Sequence, residues 1–284
     1  MSTPGQVWAG LLAATLALAV SSGNALGHGA IHDQLHDSNA ALQAQPHNAA
    51  LYLKRGRLYL EARHFTEAIA DFRQALAIDP ALRAAYYFLG DALLRQGDAD
   101  AASLAAERFI AALAAEERDA LTRGYRLLGA SLLQAGKALP AAAAYQSMLT
   151  AATAPQPGDY LQLAEAYVAA GDAYQDAALR VLDDGLARLG QPATLQEMAI
   201  AIETRRGHLH SALQRLDLLI QQGQRQAVLL LRRGDLLLQL HQPEPAKASF
   251  EAALKELDGL PPARQNSRAM RELRHTLATR LAGF

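Results

Sequence analysis

One position constrains what this chain can fold into. A small residue, once replaced by isoleucine, recurs at nearly equal intervals. Gly56, Gly90, Gly129, Ala164, Ile200 and Gly234 follow one another in near-even steps. Each sits among apolar residues at helical spacing, and a second amphipathic stretch follows it. Self-similarity at a period of about 34 residues marks a stacked array, because one unit cannot bury its apolar face alone and must lean on the next.

The first unit, "LYLKRGRLYLEARHFTEAIADFRQALAIDP" (Leu51 to Pro80), reads as two helices. Tyr52, Arg55, Gly56 and Tyr59 mark the first, and Ala68, Phe72 and Ala75 the second. Gly56 and Ala68 are small where the two helices cross closely. Tyr52, Tyr59 and Phe72 fill the space between a unit and its neighbour. Pro80 cannot continue a helix and ends the unit. This spacing resembles the tetratricopeptide repeat, whose pattern is an aromatic, Leu-Gly, a Tyr, then Ala, Phe, Ala and Pro. Arg55 departs from it, since the family prefers leucine there.

Five further units follow. The second has Tyr86, Leu89, Gly90 and Leu93, then Ala105, Phe109 and Ala112. The third has Tyr125, Leu128 and Gly129, then Ala141 and Tyr145. The fourth has Tyr160, Leu163, Ala164 and Tyr167, then Ala178, Leu182 and Gly185. The fifth is degenerate, with Ile200 in the small position before Ala212, Leu216 and Leu219. The sixth has Gly234, then Ala246, Phe250 and Ala253. Gly97, Gly136, Gly171 and Gly207 recur between helices, where a C-terminus favours glycine. The resemblance implies an all-α, right-handed superhelical solenoid of about six helix-turn-helix repeats over residues 46–260. Residues 261–284 are expected to add a capping helix. Its stripe Met270, Leu273, Leu277, Leu281 and Phe284 would cover the open end. Its other face carries Arg264, Arg268, Arg271, Arg274 and Arg280, with Glu272 opposing, and offers a route to peripheral membrane contact.

The chain's beginning differs. Val7 to Val20 carries no charge and leads into the small polar stretch "SSGNALG". This is the pattern of a secretory signal peptide over residues 1–27, although no Lys or Arg precedes the apolar run. Export to the periplasm or outside the cell is expected, with retention as an N-terminal membrane anchor the alternative. Residues 28–45 are expected to form a leader helix carrying His28, His32 and His36. Their four-residue spacing suits imidazoles converging on copper or zinc, or else histidines facing water.

Composition narrows the chemistry. There is no cysteine, which excludes disulfides, thiolate metal sites and cysteine nucleophiles. A net charge of −1 gives no field to draw in nucleic acid. No nucleophile elbow or phosphate loop is present, and Ser103, Ser131, Ser147, Ser211 and Ser249 all fall within expected helices. Glu116-Glu117 and Asp183-Asp184 are neighbours pointing about 100° apart on a helix, unsuited to acid/base work. An enzyme is not expected.

The resemblance implies instead a scaffold or adaptor whose first helices line a concave groove that holds a protein or peptide. Helix phase nominates Lys54, Arg57, Tyr87, Phe88, Asp91, Arg95, Arg126 and Glu165, with Gln162, Arg232 and Asp235 beside them. Some relatives bind a chaperone's C-terminal carboxylate through Lys, Asn, Asn, Lys and Arg. No asparagine stands in these first helices, so that partner is not implied. The alternative function is exported copper or zinc binding through His28, His32 and His36.

Overall fold

The computed structural model describes residues 24–223 and 226–284, with side chains from residue 31 onward. The apolar run Val7–Val20, on which the export expectation rests, lies outside the described residues.

The chain divides into two units, at Gly136 and Lys137. The first contains α1 (Asn24–Ala44), α2 (Ala49–Glu61), α3 (Phe65–Ile78), α4 (Arg83–Gln96), α5 (Ala99–Ala111) and α6 (Arg118–Gln134). The second contains α7 (Ala138–Ala151), α8 (Pro157–Ala169), α9 (Gln175–Leu189), α10 (Ala193–Arg205), α11 (Leu209–Gln221), α12 (Gln226–Gln239), α13 (Pro243–Asp258), α14 (Pro262–Gln265) and α15 (Arg268–Leu281). A short 3-10 turn, Asp172–Tyr174, precedes α9. No strand occurs among the described residues. Within each unit consecutive helices pack on one another, which is the expected all-α array of helix pairs. The third expected pair, α6 with α7, falls on the boundary, and each helix belongs to its own unit.

The turns follow from the sequence. Gly97, Gly136, Gly171 and Gly207 have φ of 100°, 75°, 106° and 76°, a conformation that side chains with a Cβ resist. The Asn48 side chain accepts from the Ala50 amide at 3.1 Å and caps α2. Asp98 caps α5 in the same way.

Packing explains why the repeating position is small. A Cβ on Gly56 would lie 2.6 Å from the ring of Phe72, which is wholly buried. Gly234 meets Phe250 in the same arrangement. In the fifth pair Ile200 takes this place and is buried with Ala212 and Leu216. A leucine stands there instead of phenylalanine, and the smaller side chain makes room for the larger Ile200.

The departure at Arg55 also has a physical reason. Its Nε and NH2 donate to both carboxylate oxygens of buried Asp71 on α3, at 2.8 and 2.7 Å. Its NH1 donates to Asn39 on α1 at 2.7 Å. Tyr52 and Tyr59 flank the guanidinium at 5.6 and 5.9 Å. Arg233 repeats the device in the sixth pair, reaching Asp217 on α11 and Ser249 on α13. Each arginine thus joins the helix before its own to the helix after it.

That geometry extends to the expected leader helix, which is α1. Among the described residues α1 runs from Asn24, within the expected signal segment, and packs on α2 as the second helix of a repeat would. Ser38 is buried one repeat length before Phe72, and Pro46 stands one repeat length before Pro80.

At the other end, Met270, Leu273, Leu277 and Leu281 pack on the cluster of Phe250 and Leu257, and Phe284 meets Phe250 edge-on at 6.2 Å. The expected apolar stripe is thus the packed face of α15. The expected basic face is more nearly neutral than α15 alone suggests. Arg268 pairs with Glu272, but Arg274 pairs with Asp258 and Arg280 with Asp235. Those two acids lie on α13 and α12, out of view of any reading confined to one helix. No helix among the described residues is long and apolar enough to cross a membrane.

Candidate functional site

In the first unit the first helices α2, α4 and α6 touch one another in sequence. Their second helices α3 and α5 make less contact with each other. A layer whose members approach more closely lies on the inside of the curve. The α2–α4–α6 side is therefore concave, and α4 lies centrally in it.

The nominated residues of this unit gather on that layer. Phe88 is half-buried between Phe72, at 6.0 Å, and Tyr87, at 5.4 Å between ring centroids. Tyr87 leans in turn on Phe109 at 5.3 Å. The Arg57 guanidinium lies 4.9 Å over the Phe88 ring. Such a contact is worth about 0.5–1 kcal/mol at an exposed site and holds the cation in place. Lys54, one turn earlier on α2, is exposed. Arg95 is different: its Nε donates to Asp91 at 2.9 Å within α4, so those two nominated charges offset each other. Arg126 on α6 is half-buried. Leu53 is missing from the nominated set, yet it is half-buried against the same core. It stands one repeat length before Tyr87, and that spacing could have found it.

Glu165 belongs to the second unit, on α8, which touches α10 as the neighbouring first helix. Tyr160, Leu163 and Ala164 are buried, whereas Glu165 is exposed. Surrounding protein still strips water from its carboxyl and raises it above the ordinary carboxylate range. A raised carboxyl in the folded state costs nothing well below its unfolded value; the cost grows as pH rises past that value and is complete above the folded-state value. Glu165→Gln is therefore expected to raise the unfolding midpoint at about pH 8 and leave it unchanged at about pH 4. Thermal unfolding at both pH values checks this. Asp235 is held by Arg280 at 2.8 Å, and Arg232 is half-buried.

The remaining chemistry-bearing groups are drawn into the scaffold. Ser103, Ser131, Ser147 and Ser249 donate to carbonyls of their own helices. Asp183 and Asp184 diverge as helical neighbours should, to Arg215 on α11 and Arg188 on α9. His208 stands at the start of α11 as a turn residue. His32 and His36 are exposed on α1. No set of three His, Cys, Asp or Glu among the described residues is placed to hold a metal.

Comparison with known proteins agrees with this architecture. The family model for the tetratricopeptide repeat matches residues 39–82 and 53–112, from inside α1 to the end of α5. An SGT1 homolog from Oryza sativa subsp. japonica is 34% identical over 67 residues, which is 24% of this chain and 18% of that protein. The match thus spans less than a fifth of the relative's length. Among solved structures, the C-terminal part of a repeat-containing protein from Cytophaga hutchinsonii superposes with a TM-score of 0.64 at 12% identity, covering 87% of this chain and 96% of that one. The MamA protein superposes with a TM-score of 0.52 at 24% identity, covering 60% of this chain and 88% of that one. At such identities the solved structures speak for the fold alone. With the family model matching residues 39–112 in the first unit and the same helix pairing in both units, the chain carries tetratricopeptide repeats there and is similar in fold to tetratricopeptide-repeat proteins.

Proposed function

We propose that this protein is an exported, non-catalytic adaptor that holds a segment of another protein against the α2–α4 face of its first unit. One observation carries the reading. Arg57 is stacked on Phe88 beside exposed Lys54, so fixed positive charge and aromatic surface lie together on the concave layer. An extended segment with acidic and apolar side chains would complement it. Arg95 contributes less, because Asp91 already offsets its charge. Export is supported by the apolar run Val7–Val20 and the small residues after it.

The test is affinity capture from cell-envelope extract. Wild-type protein is expected to retain a partner, and Lys54→Ala/Arg57→Ala to lose most of it, while Arg95→Ala keeps it. The mass of the bait recovered from the envelope should place its N-terminus near Leu26 or His28. Equal capture by the double variant would contradict the groove, and an intact Met1 would contradict cleavage.

A second reading rests on α1. One unbroken helix from Asn24 to Ala44 sets positions 28, 32 and 36 on successive turns. If they chelate, calorimetry should show Cu(II) or Zn(II) binding at about micromolar affinity or tighter, lost in His32→Ala. Absence of heat in the wild type would dismiss it.

A further inference from the structure

Two acceptors on α8 have no protein donor among the described residues. Gln162 and Glu165 are three residues apart, which brings their Cβ atoms to about 5–6 Å on one helix face. The buried residues Tyr160 and Ala164 point elsewhere, into the core shared with α9 and α10. The Oε1 atom of Gln162 is shielded from solvent and accepts no hydrogen bond. Leaving such an atom unsatisfied is costly, so proteins rarely keep one without reason. Glu165 forms no ion pair among the described residues, and no neighbouring charge offsets the dehydration of its carboxyl.

Several other carboxylates of this unit are treated differently. Arg206 takes Asp176, Arg215 takes Asp183 and Glu203, and Arg233 takes Asp217. Arginines are therefore spent on neighbouring acids, and none on Glu165. An amide oxygen beside a carboxylate is the complement of a group that is cationic and donates several N–H bonds at once. A bare divalent ion fits poorly, because calcium or magnesium needs about six oxygen ligands and α8 offers two side chains.

We propose that Gln162 and Glu165 form a subsite for a lysine or arginine side chain of a bound partner. The ammonium or guanidinium would donate to the Gln162 oxygen and pair with the Glu165 carboxylate. This rests on the adaptor reading but adds to it. The first unit offers cations to its partner, and α8 offers acceptors, so the two faces select side chains of opposite charge.

The probes are blocked amino acids, N-acetyl-lysine methylamide and N-acetyl-arginine methylamide, titrated into the full chain. N-acetyl-norleucine methylamide serves as the uncharged control. Amide NMR signals of α8 should shift saturably with both cations and not with norleucine. Glu165→Gln should weaken the binding about tenfold or more, and Gln162→Leu should weaken it several-fold. Capture separates this proposal from the reading beneath it. If the partner is lost with Lys54→Ala/Arg57→Ala but retained fully by Glu165→Gln, the subsite is wrong and the adaptor stands. If wild type captures nothing, the adaptor reading fails while the titration still decides the subsite. Norleucine shifting the α8 signals as strongly, or Glu165→Gln binding the cations within about twofold of wild type, would overturn the proposal.

Discussion

Replacing Phe72 by alanine is expected to destabilise the first unit by about 3–5 kcal/mol, the cost of emptying an aromatic site in a closed core. Phe72 is wholly buried. It touches Gly56 on its own first helix and stacks on Phe88 of the next. Truncation therefore opens a cavity between α2, α3 and α4 together. Gly56 holds that geometry and cannot fill the gap. Because an array of repeats is stabilised by nearest-neighbour contacts, the damage should be local. Urea unfolding gives the size, and hydrogen exchange gives the place. Amides of α2 to α5 should lose protection while those of α10 to α13 keep theirs. A loss below about 1 kcal/mol would mean that the ring is not the keystone between these repeats.

Arg55→Leu restores the residue that the family prefers, and it should still cost about 2–4 kcal/mol, because Asp71 would be left buried without its cation. The Asp71 side chain is only 6% exposed. Removing one partner of a buried pair costs more than the pair contributes, because the remaining charge stays dehydrated. The double substitution Arg55→Leu/Asp71→Ala removes both charges and should recover all but about 1 kcal/mol. A double-mutant cycle from urea denaturation measures the coupling. Strictly additive losses would show that the bidentate contact contributes little. Arg55 also holds Asn39, so the single variant should loosen α1 in hydrogen exchange as well.

The fold was largely legible in sequence, because the positions that matter repeat. Gly56 with Phe72 and Gly234 with Phe250 are local consequences of two helices crossing, and each can be read from a window one repeat long. The positive-φ glycines were visible for the same reason. What escaped the sequence involves contacts between windows. The role of α1 as a second helix was hidden because Gln34 and Ser38 stand where α3 has Ala68 and Phe72, which breaks the apolar pattern. Its register shows in the contact of Asn39 with Arg55, from different repeats, and in the spacing of Pro46 from Pro80. The arginines of α15 looked unopposed because Asp235 and Asp258 lie on other helices.

The candidate site was legible in part. Helix phase nominated Lys54, Arg57, Tyr87 and Phe88, which the curve of α2 and α4 gathers on one layer. It could not show that Arg57 lies over Phe88, since that contact joins two repeats. Nor could it separate Arg95, paired with Asp91 within its own helix, from Lys54 and Arg57, which form no such ion pair among the described residues. The unsatisfied oxygen of Gln162 depends on the packing around α8, which spacing does not reveal.

Photo-crosslinking tests the adaptor reading most directly. A photoreactive phenylalanine analogue is placed at Tyr87 on the concave layer, and in a second protein at Arg73 on the exposed face of α3. Each is irradiated in envelope extract, and the joined proteins are identified by mass. The account predicts one partner crosslinked from position 87, lost when Lys54→Ala/Arg57→Ala is added, and none from position 73. Crosslinking from position 73 and not from 87 would place the partner on the outer face and contradict it.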